Sequence, residues 1–156
     1  MLQRHILEPV RFVLPYDDAL EESTDWQAYI DSGLDYGLLK FKEGQRPTIF
    51  TVRQLTHRQR VSRGNLEGYS QHMFTVRCGL VSVSGLEVKK GGAVVSVESP
   101  RLQTEGTLGD LVRQEWFDQS GLTETDVVSL ANVIYCISEA QLPLLARYVS
   151  AVGAGT

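Results

Sequence analysis

Cysteine is scarce in this sequence, and so are most of the patterns that announce a chemical site. Two cysteines occur in 156 residues, Cys78 and Cys136, far apart and each within an apolar stretch. A disulfide framework needs more cysteines in a smaller chain, so buried free thiols in a reducing compartment are expected. The three histidines, His5, His57 and His72, have no second histidine or cysteine at metal-ligand spacing, which speaks against a zinc site. There is no Gly-x-Ser-x-Gly elbow, no phosphate-cradling glycine loop and no dinucleotide fingerprint. The longest apolar run falls far short of the ~20 residues needed to cross a bilayer. The opening Met1-Leu-Gln-Arg-His-Ile has no hydrophobic signal core, so synthesis and residence in a cytoplasm are expected. No catalytic residue, metal or cofactor is nominated.

What is present is ordinary for a folded protein. The 42% hydrophobic and 22% charged residues are the balance of a globular chain rather than a disordered one. The length suits a single domain over 1–156, able to bury roughly 70% of the surface its unfolded chain exposes. The net charge of −4 disfavours binding to nucleic acid or to anionic membranes.

The prolines of Pro9-Val-Arg-Phe-Val-Leu-Pro-Tyr16 forbid a helix and suit an extended arm or edge strand, with 1–22 read as an N-terminal arm. Thr24 and Gln27 form a capping-box pattern for a short helix over Asp25–Ser32, closed by Gly33. Strands are expected at Tyr36–Phe41 and Thr48–Leu55, the latter with Phe50 and Val52 on one face. Thr56 is a good N-cap, and Leu66–Leu80 reads as a helix. Val81–Val88 and Ala93–Glu98 read as a hairpin joined through Lys89-Lys-Gly-Gly92. Beyond Pro100 everything is expected to be helical. One helix would start near Thr107 and Asp110, with Leu108, Leu111, Val112, Glu115 and Trp116 aligned, and stop at Gly121. Another would start at Thr123 and Asp126, with Val127, Leu130, Ala131, Ile134 and Ile137 inward. The last, Ser138–Val149, would be broken or restarted by Pro143, and 150–156 reads as a short flexible tail. Strands first and helices last argue for an α+β fold: a small antiparallel sheet with a β-hairpin packed against several helices.

Charge is segregated along the chain. Seven acids and no base lie between Asp17 and Asp35 (Asp17, Asp18, Glu21, Glu22, Asp25, Asp31, Asp35). Seven bases and one acid lie between Lys40 and Arg63. An acidic and a basic patch on one molecule can dock copies of it head to tail; alternatively the two blocks fold against each other or are solvated faces. Within the basic block, Arg53, His57, Arg58, Arg60 and Arg63 form the candidate contact patch, with arginines able to grip carboxylates through paired donors. No aromatics interleave to stack on bases, which disfavours a nucleic-acid role. The candidate acidic surface is Asp17, Asp18, Glu21 and Glu22, carboxylates in polar sequence without the burial that tunes an acid or base. Phe117, beside Trp116 on the apolar stripe, is a candidate exposed anchor.

The stretch Lys42-Glu-Gly-Gln-Arg-Pro-Thr-Ile-Phe-Thr-Val-Arg-Gln-Leu-Thr56 resembles a pattern in small proteins of tailed-bacteriophage structural gene clusters, where a Gly-x-x-Pro-Thr-x-Phe strand leads into Arg-x-Leu-Thr and a helix. Val76-Arg-Cys-Gly-Leu-Val81 and the glycine turn at Gly91-Gly92 are similar to a second segment of those proteins, although Val83 or Ser84 stands where they have tryptophan. The resemblance implies a non-catalytic role in virion morphogenesis, with other phage structural proteins and copies of the chain itself as partners. Two versions follow from it: a structural component retained in capsid, connector or tail, and a transient tail-assembly chaperone absent from the mature particle. A cytoplasmic enzyme or regulator whose site is assembled from distant residues is the rival class. Charge reversal at Arg58 and Arg60 is expected to weaken assembly and its salt dependence.

Overall fold

The computed structural model describes residues 8–154, with side chains described over 8–149. Its architecture is α+β. Strand β1 (Val10–Phe12), β2 (Ile49–Val52) and β3 (Leu80–Ser84) form an antiparallel sheet in the order β1-β2-β3. Phe12 opposes Phe50, and Phe50 opposes Val83, so one face carries a continuous row of large apolar side chains. Phe12, Phe50 and Val52 are fully buried there. Two helices supply the other side of the core: α3 (Tyr69–Gly79) and α5 (Glu124–Ser138). Between β2 and α3 runs α2 (His57–Gly64), capped by Thr56 as expected, with Gln59 completing a capping box. The buried Gln59 amide is fully engaged, accepting from Thr56 N at 2.9 Å and donating to Leu108 O at 2.8 Å.

Of the arm expected over 1–22, residues 1–7 lie outside the described residues, and the described part is not free. Phe12, Val13, Leu14, Ala19 and Leu20 are all buried, and Tyr16 donates its hydroxyl hydrogen bond to Asp126 at the start of α5. Helix α1 (Trp26–Asp31) packs its Tyr29 and Trp26 rings against Phe12. Its N-cap is Asp25, which accepts from Ala28 N at 3.0 Å. Thr24, the expected cap, instead donates back to Glu21 O at 2.7 Å. Both residues are good caps, and the one a single position on has its oxygen over the first turn.

Two further expectations are corrected. Tyr36–Phe41 is not a strand: Asp35 caps a 3-10 turn over Tyr36–Leu38, and only Phe41 makes a β-bridge, to Leu20. The region after Pro100 is not wholly helical. It holds a second hairpin, β6 (Leu102–Thr104) with β7 (Asp110–Val112), ahead of α4 (Gln114–Ser120). Leu108, Leu111 and Val112 sit at helical spacing, but Gly106 and Gly109 both take positive φ. That backbone closes a turn and cannot continue a helix. Gly121 then ends α4 in the left-handed region, as its position suggests.

At the C-terminal end, Ala140 with φ 53° separates α5 from α6 (Leu142–Ala154). Pro143 lies in the first turn of α6, where its missing N–H is no loss. Helix α6 continues through 150–154, where a tail over 150–156 is expected, while residues 155–156 and the side chains from 150 on lie outside the described ones.

The remaining hairpin, β4 (Glu87–Lys90) with β5 (Ala93–Ser96), stands apart from the three-stranded sheet. Val81–Val88 is expected as one run of the hairpin. The chain turns at Gly85 instead, whose φ is 75° and where a Cβ would meet Pro47 O at 2.5 Å. Residues 80–84 therefore belong to the core sheet, and only 87–96 form the hairpin.

Candidate protein-interaction surface

The expected basic patch is mostly internal structure. Arg53 donates from Nε to Cys78 O at 3.2 Å and from Nη2 to Asp110 O at 2.6 Å. Arg60 reaches Ser138 O at 3.4 Å. Arg63 donates to Thr75 Oγ1 at 2.8 Å and stacks its guanidinium 4.7 Å from the centroid of Tyr135. Cys78 and Ser138 are at the C-terminal ends of α3 and α5, where unpaired carbonyls carry partial negative charge. Arginines at such ends are held by the fold itself. Only His57 and Arg58 of the five project freely into solvent.

Of the acidic candidates, Asp17 alone is held by backbone amides. Asp17 accepts from Ala19 N and Thr48 N, each at 2.9 Å. Glu21 accepts from Ser23 at 3.2 Å. Asp18 and Glu22 are exposed. Lys40 and Lys42 flank this loop through paired backbone bonds, Glu21 N to Lys40 O at 2.9 Å and Lys42 N to Ala19 O at 2.8 Å. The backbone thus joins the end of the acidic block to the start of the basic one. Among the described residues the single ion pair is elsewhere, Arg77 with Glu105 at 2.9 Å.

Phe117 is not an exposed anchor. It is buried, because α4 lays that side on the core, and its ring meets the Trp116 ring edge-on at 5.1 Å. Trp116 is the half-exposed member of the pair, its indole N–H donating to Glu98 O at 2.9 Å. That bond ties α4 to the base of the β4–β5 hairpin.

The hairpin is the surface that residue-by-residue reading of charge missed. Gly91 and Gly92, with φ of 61° and 84°, form its two-residue turn. Every residue of β5 is exposed, Val94 at 60% and Val95 at 43%. Val88 alone in β4 is partly covered, its Cγ1 lying 2.5 Å from where a Cβ on Gly121 would be. Val88 opposes Val95 and Lys89 opposes Val94. Opposed residues share a face and neighbours alternate, so Val88 and Val95 look toward α4 while Lys89 and Val94 look away. Between the hairpin and α4 lies an open cleft of about 1060 Å³, lined by both signs of charge and by Trp116.

Strands β1, β3 and β7 each have backbone groups held by side chains. Tyr29 donates to Arg11 O in β1 at 2.7 Å, and Ser99 accepts from Val83 N in β3 at 2.9 Å. Arg53 and Arg77 cover carbonyls of β7, Arg77 Nε reaching Val112 O at 2.9 Å. Among the described residues nothing does this within Ala93–Ser96 of β5, and the first carbonyl so held beyond it is Glu98 O, bonded by Trp116.

The groups that could do chemistry are poorly placed for it. Burial pushes the Cys78 thiol up to about 12 and the Cys136 thiol up to about 11, away from the thiolate a nucleophile needs. Burial, reinforced by the Asp126 carboxylate, also raises the Tyr16 hydroxyl. The carboxylates lining the cleft, Glu98, Glu115 and Asp118, are exposed. A second, smaller hollow of about 400 Å³ lies between α5 and α6 near Phe12 and Pro15, with mostly apolar walls and an exposed Glu124 at its rim. Among the described residues no three His, Cys, Asp or Glu side chains converge as a metal ion would require, and no helix is long and apolar enough to cross a membrane. Comparison with protein-family models, with curated proteins and with solved structures gives no match for this chain.

Proposed function

We propose that this chain is a non-catalytic assembly protein acting through protein–protein contacts, with the β4–β5 hairpin as its principal contact element. One observation carries the reading: a two-stranded hairpin projects from a well-packed body with β-branched, uncharged side chains in the open, Val94 at 60% exposure. Proteins usually block or charge such edges, because unpaired strand amides recruit other strands. An edge left unblocked here, while β1, β3 and β7 have backbone groups held by side chains, fits a surface kept for a partner. Support against a catalytic role comes from the exposed cleft carboxylates and the protonated thiols.

The setting we propose is the one implied by the resemblance of residues 42–56, a structural component of a tailed-phage particle in capsid, connector or tail. Residues 42–56 form a turn, β2 and the capped start of α2. The test is quantitative mass spectrometry of purified particles beside the infected-cell lysate. Presence in particles at fixed copy number is expected. Abundance in lysate with absence from particles would favour the chaperone version, and absence from both would end the phage setting.

A further inference from the structure

The outward edge of β5 has a pattern that selects its occupant. Val97 N donates to Leu86 O at 2.8 Å, continuing the ladder that pairs Glu87 with Ser96 and Val88 with Val95. Antiparallel pairs alternate between bonded and non-bonded. Leu86/Val97, Val88/Val95 and Lys90/Ala93 are therefore the bonded pairs, and the amides and carbonyls of Val94 and Ser96 point outward. The two edges of the hairpin differ in chemistry. The β4 edge carries Glu87, Lys89 and Lys90, charges that obstruct strand addition. The β5 edge, Ala-Val-Val-Ser, carries none.

We propose that β5 pairs antiparallel with β5 of a second copy of this chain about a two-fold axis through Val95, giving a four-stranded sheet in the order β4-β5-β5-β4. This rests on the hairpin being the contact element. The pairing is self-complementary in three respects. Val94 of each copy meets Ser96 of the other, so all four outward N–H and C=O groups on each strand are bonded. Val95 meets its own counterpart in a non-bonded pair, where side chains approach most closely. In this register Glu98 of each copy falls opposite Gly92 of the other, on the sheet face that carries that copy's Lys89, and this happens at both ends. A parallel arrangement would instead bring the two lysine-bearing tips together. The isologous contact needs one patch matching itself, which a closed dimer requires. A four-residue strand pair is small beside the ~1,200–2,000 Å² of stable complexes, so the association is reversible and concentration-dependent.

Cysteine cross-linking reads the register. Across the two-fold the Val95 Cα atoms would be roughly 4.5 Å apart, within disulfide range. The Val94 Cα atoms would be roughly 8 Å apart, beyond it. Native Cys78 and Cys136 are buried and do not compete. Mild oxidation of Val95→Cys is expected to give covalent dimer at least tenfold faster than Val94→Cys or a control on the exposed end of α2, Asn65→Cys, taking tenfold as roughly the threshold for geometric selection. In sedimentation, wild-type protein should move with concentration toward twice 17.4 kDa. Val94→Pro removes an outward N–H that the hairpin itself does not use, and should remain monomeric with unchanged circular dichroism. A Val95→Cys rate equal to the Asn65→Cys control, or a wild-type chain that stays monomeric throughout, overturns self-pairing. The assembly reading is judged separately, by whether β5 variants lose their place in the particle.

Discussion

Replacing Gly79 by alanine tests how α3 and α5 are held together. Gly79 is the last residue of α3, at an ordinary φ, and a Cβ there would meet Ile134 Cγ2 at 2.5 Å, Cδ1 at 2.7 Å and Cγ1 at 2.9 Å. Two of these atoms are bonded directly to the Ile134 Cβ. A β-branched side chain in a helix has one strongly favoured rotamer and cannot swing aside. The helices must separate or Ile134 must leave its rotamer, a cost of about 1–3 kcal/mol for overpacking. Against this stands at most ~1 kcal/mol gained by alanine over glycine in a helix, less at a terminal position. A net loss of about 1–2 kcal/mol would lower Tm by roughly 2–8 °C in a chain of this size. Urea unfolding of Gly79→Ala, Ile134→Ala and the double variant forms the decisive cycle. Ile134→Ala alone opens a cavity and should cost about 2–5 kcal/mol. It also removes all three clashing atoms, so the double variant should be less destabilised than the sum by more than ~0.5 kcal/mol. Strict additivity, or a Gly79→Ala protein as stable as wild type, would refute the close packing of α3 on α5.

Ser138 Oγ accepts from Leu55 N at 2.9 Å and donates to Ile134 O at 2.6 Å; Ser138→Ala should cost about 1–3 kcal/mol in denaturant unfolding by stranding a buried amide. The thiols make the fold alkali-sensitive. With folded values of about 12 and 11 against an ordinary 9.0, their stabilisation is complete below pH 9 and is lost as pH rises through 9 toward 11 and 12, because the unfolded chain releases its protons first. Stability should fall on the order of 1 kcal/mol per pH unit for each thiol in that window, and Cys136→Ala should flatten the slope measured by thermal melts. Arg58→Glu should leave stability within ~0.5 kcal/mol, whereas Arg53→Glu should destabilise strongly in the same unfolding assay, since Arg53 holds the carbonyls of Cys78 and Asp110.

The elements that could be read from sequence were those whose local chemistry leaves one solution. Thr56 is expected as an N-cap and Thr123 with Asp126 as a helix start, and both positions cap their helices, each completed as a capping box by Gln59 and Asp126. The inward row Val127, Leu130, Ala131, Ile134 and Ile137 is buried along α5. Where the reading went wrong, two periods competed or a glycine decided. Leu108, Leu111 and Val112 fit a helix by spacing, but the positive φ of Gly109 makes the segment a hairpin. The contact surface was harder still. Arginine clustering cannot distinguish a docking patch from a set of helix-end clamps, because the carbonyls of Cys78, Asp110 and Ser138 reach Arg53 and Arg60 only after folding. The hairpin itself was visible as two β-branched runs about Gly91-Gly92. Its separation from β3 was not, because that follows from Gly85 lying against Pro47, a contact 38 residues apart in sequence.

The claim that the β4–β5 hairpin is the contact element is tested most directly by charging its open edge. Val94→Lys with Val95→Lys alters two exposed side chains, so the variant should fold with wild-type stability. Its copy number in purified particles, measured by quantitative mass spectrometry beside a wild-type standard, should fall at least tenfold, about 1.4 kcal/mol of lost contact energy. A variant incorporated at wild-type copy number would contradict the account.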